Sequence, residues 1–146
     1  MTREPVLIDD HLLARLLVGE PPRSLRHSGP IFTTGLWYHR LCRSVANPAV
    51  TRVISRLLGG NDPQLGAGVA RAVIDLPDEI GLVSLRQLSW PMAALVDAGA
   101  RLNLMSLEAL AAAEHLGAEI HLASTDENPP LIAAATGRGV AVRVSA

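Results

Sequence analysis

The apolar residues of this chain form two kinds of pattern, short continuous runs and longer stretches with helical spacing. The first run is Val6 to Ile8, and leucines follow at positions 12, 13, 16 and 17, which share one face of a helix. The run predicts a short buried strand, and the leucines predict a helix packed against it. Three later runs predict further buried strands, at residues 80–85, 119–124 and 140–144.

Helical patterns fill most of the chain between the first two predicted strands. Residues 20–30 are rich in Pro, Gly and Ser and predict a loop, after which Thr33 or Thr34 is expected to cap a helix that reaches Val45. The following residues predict, in order, a helix that stops at two glycines, a glycine-rich turn and a short helix, at 48–60, 61–68 and 69–74.

Three more helices are predicted in the second half of the chain. The first is expected over residues 86–99, and if Ser89 is its cap, Pro91 lies in its first turn, where proline is tolerated. The clearest helix is rich in Ala and Leu, begins at Ser106 and ends at Gly117. The last spans residues 129–139, opened by proline and closed by glycine.

Strands that alternate with helices through short connections are typical of α/β proteins. Such a chain predicts a mainly parallel central sheet with helices on both faces, which is a three-layer sandwich. The 146 residues are about the length of one domain, and no linker divides them. We therefore expect a single α/β domain over residues 1–146.

The composition indicates what the core consists of and in which compartment the protein is expected. Nearly half of the residues are hydrophobic but only 3% are aromatic, so the core is expected to be aliphatic. Cys42 is the single cysteine, which excludes a disulfide framework and a cysteine-based zinc site and fits a reducing cytosol. No apolar run approaches the roughly 18 residues of a membrane span, and no signal-peptide pattern is present. A cytoplasmic protein without a membrane partner is expected.

The charged residues are distributed unevenly along the chain. All 13 basic residues are Arg, and residues 11–61 hold seven of them against the single acid Glu20, a net charge of +6. Residues 62–146 hold ten acids against five Arg, a net charge of −5. A basic half beside an acidic half suits a polyanion held near a metal-binding cluster. It equally suits a dipolar surface or a basic patch for an acidic protein partner.

Two adjacent acids follow the first strand. Asp9 and Asp10 stand where a helix begins, and aspartate is a good N-cap that also favours the positive end of a helix. Carboxylates at the carboxyl end of a parallel strand are also well placed to hold a metal. His11 is within reach of the same metal, although an exposed histidine in a first helical turn is commoner.

The order of these elements resembles that of PIN-domain proteins. The likeness rests on VLID before a leucine-rich helix and on the run LNLMSLEALAAAEHLGAEIHLASTDENPPLIAAATGRGVAVRV. It covers almost the whole chain and implies a compact α/β sandwich. Many bacterial members of that family are Mg²⁺- or Mn²⁺-dependent ribonucleases, often the toxin half of a toxin–antitoxin pair, so the resemblance implies these ions as cofactors.

The acidic residues match that family's pattern only in part. Asp9 lies in register with the acid after the first strand, whereas the early-helix acid falls where this chain has His39 and Arg40. The acid that opens the penultimate helix falls at Ser106, two residues before Glu108. The last acid falls at Ser124, two residues before Asp126. The resemblance thus implies catalytic roles for Asp9, Glu108 and Asp126, and a metal site of Asp9, Asp10, Glu108 and Asp126.

Each of these acids also has a simpler interpretation. Asp10 is the expected cap of the first helix, Glu108 is expected in a first turn where a carboxylate favours the dipole, and Asp126 can belong to a turn. Arg40, in place of the missing acid, would put a cation in the cluster, where it can pair with Asp9 or meet a phosphate.

Two functions remain open on the sequence. The first is a PIN-like ribonuclease or RNA-binding domain with RNA and an antitoxin-like protein as partners, favoured by the charge separation. Its phosphate contacts would come from the arginines of the basic half, Arg15, Arg23, Arg26, Arg40 and Arg43. The second is a catalytically inactive PIN-fold module for protein interaction or dimerisation, favoured by the missing acid. Segments around Trp37 and Trp90 that are expected to be exposed make a homodimer the expected assembly.

Overall fold

The computed structural model describes residues 3–47 and 63–146, with side chains described from residue 68 onward in the second range. Five strands form one sheet in which every neighbouring pair is parallel. The spatial order is β3-β2-β1-β4-β5. The strands are β1 (Val6–Ile8), β2 (Ile31–Thr34), β3 (Ile80–Val83), β4 (Glu119–Ala123) and β5 (Val142–Ser145).

Six α-helices occupy the described residues. They are α1 (Asp10–Leu17), α2 (Gly35–Ala46), α3 (Pro63–Ile74), α4 (Leu85–Asp97), α5 (Leu104–Leu116) and α6 (Pro129–Gly137). Short 3₁₀ turns cover Arg23–Leu25 and Ser124–Asp126. Within these described ranges, no helix is both long and apolar enough to span a membrane. The predicted helix at 48–60 lies outside the described residues.

The sheet separates two apolar layers, as the alternation of side chains along a strand requires. In β1, Leu7 packs among residues of α4, α5 and α6, and this core includes Leu88 and Leu110. Val6 and Ile8 point the other way and pack with residues of α1, α2 and α3. The expected three-layer α/β sandwich with a parallel central sheet is therefore confirmed.

Strand β2 was not predicted. Its sequence, IFTT, is only four residues long and half of it is threonine, so it reads as the end of a loop and the cap of a helix. Thr33 is nevertheless buried, and its hydroxyl donates to the carbonyl of Ile8 at 2.9 Å. Thr34 ends the strand and does cap α2, since its hydroxyl accepts from the amide of Trp37 at 3.1 Å.

Two predicted helix starts and one predicted cap were wrong. Helix α4 begins at Leu85, one residue before the expected range, but it is capped by Ser84 and not by Ser89, so Pro91 lies in its interior. The turn before Pro91 buries Leu88 completely, which offsets the helical hydrogen bond that the proline removes. Helix α5 is capped by Asn103 rather than begun at Ser106. Helix α3 begins at Pro63, within the stretch expected to be a glycine-rich turn.

The strand order creates a crevice at one end of the sheet. The chain passes from β1 to β2 on one side, whereas β4 lies on the other side of β1. The connections that leave β1 and β4 therefore run in opposite directions from neighbouring strands. In open parallel sheets, this switch point at the carboxyl ends of the strands is the usual ligand position. The residues that follow β1 and β4 are thus placed together.

A buried histidine lies in the middle of β4. His121 pairs in register with Ile8 on one side and with Arg143 on the other, and it is 3% exposed. Its Nε2 lies 3.4 Å from a carboxylate oxygen of Glu119, and its Nδ1 has no hydrogen-bond partner. Burial lowers the pKa of His121 below its usual value, and Arg143 acts in the same direction, although the Glu119 carboxylate opposes both.

We expect His121 to make the fold less stable in mild acid. The unfolded chain binds a proton at this residue near pH 6.5, whereas the folded protein resists it, so stability falls as pH drops from 6.5 through the lower folded pKa. Chemical denaturation from pH 7.5 to 4.5 should show a shallower decline for His121→Gln. The control His39→Gln removes an exposed histidine and should keep the wild-type slope. Identical slopes for His121→Gln and wild type would contradict the expectation.

Candidate functional site

Asp9 joins three elements at the carboxyl end of β1. One of its carboxylate oxygens accepts from the amide of Leu12 at 2.9 Å, which makes Asp9 the N-cap of α1. The other accepts from the amide of Ala123, at the end of β4, also at 2.9 Å. The residue is 1% exposed, and this burial raises the pKa of its carboxyl group, although the two amide hydrogen bonds oppose the rise. Asp9 therefore ties α1 and β4 to β1.

Asp10 and Asp126 share a single cation, Arg40. The guanidinium of Arg40, on α2, binds both carboxylate oxygens of Asp10 at 2.7 and 2.5 Å. Its Nη2 also donates to an oxygen of Asp126 at 2.5 Å. The Asp10 side chain is 8% exposed, whereas those of Arg40 and Asp126 are 36% and 41% exposed. Hydrogen bonding to Asp10 is the largest cause that raises the pKa of Arg40 above its usual value.

His11 completes this cluster on the solvent side. Its Nε2 lies 3.7 Å from an oxygen of Asp126. The candidate ligand atoms of Asp10, His11 and Asp126 all lie within 4.8 Å of one another, and no other group of three such residues is found in the described part of the chain. We name Asp10, His11, Arg40 and Asp126 the switch-point cluster. It lies where the sheet topology brings the ends of β1 and β4 together.

Glu108 makes a contact of a different kind. It is completely buried on α5, and its Oε1 accepts from the amide of Leu36 at 2.8 Å, at the start of α2. Its Oε2 is buried without a hydrogen-bond partner and faces Gly35. The prediction that Glu108 lies in the first helical turn was wrong, because α5 begins at Leu104 and Glu108 is its fifth residue. Glu108 fastens the beginning of α2 to α5.

A cavity of about 220 Å³ opens beside the switch-point cluster. Asp9, Arg40 and Asp126 line one part of it. The rest is bordered by the first residues of α5 and α6, where Asn103 and Asn128 are the caps. The amide of Asn128 also donates to the hydroxyl of Ser106 at 2.7 Å, which joins the two helix starts. The cavity thus has a cation and two helix N-termini beside its acids.

The four acids expected to hold a metal are not available as one ligand set. Both oxygens of Asp9 accept buried amides, and one oxygen of Glu108 accepts the amide of Leu36. Asp10 and Asp126 do converge, but the Arg40 guanidinium lies between them at hydrogen-bonding distance. A divalent cation needs several oxygen ligands at about 2.0–2.6 Å, which is the space that Arg40 fills. With Arg40 in this position the four acids do not form one ligand set, and the ligand atoms that do converge are those of Asp10, His11 and Asp126.

The two aspartates after β1 have different roles. The sequence favoured Asp10 as the cap of α1 and left Asp9 as either a metal ligand or a cap. Asp9 is instead the cap, because its backbone is still extended and its amide still bonds to the carbonyl of His121, whereas Asp10 is already helical. Asp10 then points to α2. Arg40 accordingly pairs with Asp10 and Asp126, and not with Asp9 as considered from the sequence.

The predicted phosphate-binding arginines are in different situations. Arg23, Arg26 and Arg43 are exposed. Arg15 is half-buried and donates to the backbone oxygen of Ala146 at 2.9 Å, whereas Arg40 is held in the switch-point cluster. The guanidinium groups of Arg23, Arg26 and Arg43 are therefore the ones available to a partner in solution. Arg52 and Arg56, which add to the basic charge of residues 11–61, lie outside the described residues.

The sequence interpretation missed the neutral residues of the site. Asn103 and Asn128 cap the two helices that border the cavity. Each stands three residues before the amide that its side chain accepts, which is the spacing of an N-cap, so this signal is present in the sequence. No protein-family model matches the chain, and a search of curated proteins returns no significant match.

Proposed function

We propose that this chain is a PIN-like domain that has lost metal-dependent ribonuclease chemistry and acts as a protein-interaction and dimerisation module. The observation that carries the proposal is the bridge from Arg40 to Asp10 and Asp126. A cation built into the chain takes the position that a catalytic metal would need. The resemblance to PIN domains supplies the comparison, and the ion pairs supply the argument against catalysis.

Arg40 is a strong competitor for the two carboxylates. A bidentate pair between guanidinium and carboxylate is short, charge-assisted and fixed in geometry. The ion pair forms within one chain, so its formation does not depend on the concentration of a ligand. Mg²⁺ must come from solution and must lose part of its hydration shell. A metal would have to displace Arg40 from both acids and leave the guanidinium unpaired. Arg40 therefore stabilises the crevice in a state without a metal.

The other two acids support the same proposal through their contacts. Asp9 caps α1 and holds the end of β4, and Glu108 holds the start of α2. Each is buried, so turning either carboxylate toward a metal would leave buried amides without acceptors. Hydrolysis of a phosphodiester by a bound metal needs a dedicated set of ligands and an open position. In this chain the acids serve the fold.

A Mn²⁺ titration combined with an RNA cleavage assay tests the proposal. We expect millimolar Mn²⁺ or Mg²⁺ to leave the melting temperature of the wild-type protein unchanged. We also expect a labelled single-stranded RNA to remain intact in the presence of either ion. Asp126→Asn should behave like wild type in both assays, because neither protein holds a metal. Cleavage by the wild type that is abolished in Asp126→Asn would overturn the proposal.

RNA binding without cleavage is a second candidate, favoured by the cavity. Arg40 and the N-termini of α5 and α6 border it, and both features attract phosphate. The exposed Arg43, three residues after Arg40 on α2, would extend the contact along a backbone. Fluorescence anisotropy with the same RNA distinguishes the candidates. Salt-dependent binding that weakens in Arg43→Ala favours RNA as the partner, whereas no binding at low salt leaves the protein-interaction module.

A further inference from the structure

Exposed hydrophobic side chains concentrate on one side of the molecule. The described residues contain seven large hydrophobic side chains that are exposed. Four of them lie on α4 or at the start of α5, and they are Leu85 (50% exposed), Trp90 (83%), Val96 (55%) and Leu104 (61%). A groove of about 390 Å³ runs between α4 and the start of α5. Contiguous apolar surface of this kind marks interaction sites.

The outer face of α4 carries a regular stripe. Arg86, Trp90, Ala93 and Asp97 are spaced by four, three and four residues, which places them along one line on an α-helix. All four are exposed, and the buried residues of α4 face the opposite direction. Eleven residues separate the two charged ends, which is about 16 Å along the helix axis. The stripe thus has a cation at one end, an acid at the other and apolar residues between.

Both charges of this stripe interact unfavourably with the dipole of their own helix. Arg86 is in the first turn, beside the positive end of the helix dipole, and Asp97 is the last residue, beside the negative end. Neither side chain forms an ion pair with another described residue. A second α4 lying antiparallel would bring an acid to the first end and a cation to the second. Both mismatches would be corrected at once.

We propose that a second copy of this chain docks on α4, with the two α4 helices antiparallel across a twofold axis. The axis passes between residues 91 and 92, so that Arg86 meets Asp97 of the other copy and Trp90 packs on its Ala93. Such an interface is isologous, because each copy offers the same stripe. Ala93 is small enough to let the two helices approach with the indole lying across it. The groove residues Leu85, Val96 and Leu104 then flank the contact.

This inference rests on the proposed function and names the partner and the surface. Trp90 supplies most of the affinity, since a large aromatic side chain at the centre of an interface is the usual hot spot. The Arg86–Asp97 pairs lie at the rim, where they set orientation more than affinity. A parallel arrangement would place like charges opposite one another. The charge pattern therefore selects the antiparallel pair.

Sedimentation measured over a range of concentrations tests the proposal. We expect the wild-type chain to form dimers at micromolar concentration. Trp90→Ala should raise the dimer dissociation constant at least about thirtyfold. It should not lower the melting temperature at concentrations where both proteins are monomeric, because Trp90 is exposed in the monomer. The control Ile74→Ala removes another highly exposed hydrophobic side chain, on α3, and should leave the dissociation constant unchanged.

Charge reversal tests the antiparallel geometry. Arg86→Asp and Asp97→Arg should each weaken self-association about tenfold or more at low salt, because each puts like charges at both rim contacts. The double variant should recover the wild-type dimer. A mixture of the two single variants should form heterodimers, since acids on one copy then face arginines on the other. Recovery in both experiments is expected only from an isologous antiparallel pair.

Three results would overturn the inference. One is a wild-type chain that stays monomeric at all concentrations, and another is a dimer that Trp90→Ala leaves unchanged. The third is a pair of single charge variants that do not associate when mixed. The RNA cleavage assay on the same samples separates this inference from the proposed function. A dimer that cleaves RNA with Mn²⁺ refutes the loss of catalysis alone. A monomer that does not cleave refutes the interface and the dimerisation role, and it leaves the loss of catalysis standing.

Discussion

Asp9→Ala should lower the free energy of unfolding by about 3 kcal/mol, whatever the metal content of the buffer. Loss of the N-cap of α1 accounts for about 1 kcal/mol of this. The amide of Ala123 accounts for about 2 kcal/mol more, because it is left buried without an acceptor. Asp9 is 1% exposed, so the two amides that it accepts are shielded from solvent in the folded protein. Urea denaturation with and without EDTA measures the loss.

Asp9→Asn separates the two hydrogen bonds of this carboxylate. The asparagine side chain keeps one acceptor oxygen for one of the two amides, Leu12 or Ala123. Its NH₂ group then faces the other amide, and two donors cannot form a hydrogen bond with each other. We expect this variant to lie between wild type and Asp9→Ala, partly compensated because burial already disfavours the charged carboxylate. Asp78→Ala, an exposed acid before β3, is the control and should change stability by less than about 0.5 kcal/mol. Unchanged stability in Asp9→Ala would show that the carboxylate does not hold the fold.

Most of this fold could be predicted from short stretches of sequence, because most of its strands are continuous apolar runs and its helices have apolar residues at helical spacing. Continuous apolar runs correctly identified four of the five strands, since a strand covered on both faces is hydrophobic throughout. Strand β2 escaped because its last residues are threonines, whose burial comes from packing between β1 and β3 and from the Thr33 hydrogen bond. The cap of α4 is Ser84 and not Ser89, because the turn between them buries Leu88, and that burial is not visible in the local sequence.

The site was harder to predict because its partners are distant in sequence. Arg40 lies 30 residues from Asp10 and 86 residues from Asp126. The sequence did indicate that a cation replaces an expected acid, but no periodicity determines which carboxylate it reaches. Which of Asp9 and Asp10 caps α1 depends on one residue of backbone geometry at the end of β1. Single-sequence boundaries do not have that accuracy.

Arg40→Glu should convert the switch-point cluster into a metal-binding site. The substitution removes the cation that bridges Asp10 and Asp126 and adds a third carboxylate beside them. Without metal we expect a loss of about 3 kcal/mol, because the largely buried Asp10 loses its partner and gains a like-charged neighbour. For a chain of this length, that is a fall in melting temperature of about 10 °C. Arg40→Met removes the bridge without adding charge and should lose about 2 kcal/mol.

Added Mn²⁺ should reverse the loss in Arg40→Glu and leave wild type unaffected. A ligand present at 100 times its dissociation constant stabilises the folded state by about 2.7 kcal/mol, which is comparable to the loss. Thermal denaturation at increasing Mn²⁺ measures the effect. Arg43→Glu makes the same charge change at an exposed position three residues further along α2. This control should have the melting temperature of the wild type, and added Mn²⁺ should not change it.

The same variant also separates metal binding from catalysis. Arg40→Glu should not cleave RNA, because Asp9 and Glu108 still accept backbone amides and cannot complete an active ligand set. Stabilisation of wild type by Mn²⁺ would show that a metal displaces Arg40. If Arg40→Glu showed no response to Mn²⁺, then Arg40 would not stand in the place of a cation. We expect Arg40→Glu to bind metal without cleaving RNA. Metal binding would follow because Arg40 no longer occupies the position between Asp10 and Asp126, and cleavage would still be absent because Asp9 and Glu108 remain bonded to backbone amides.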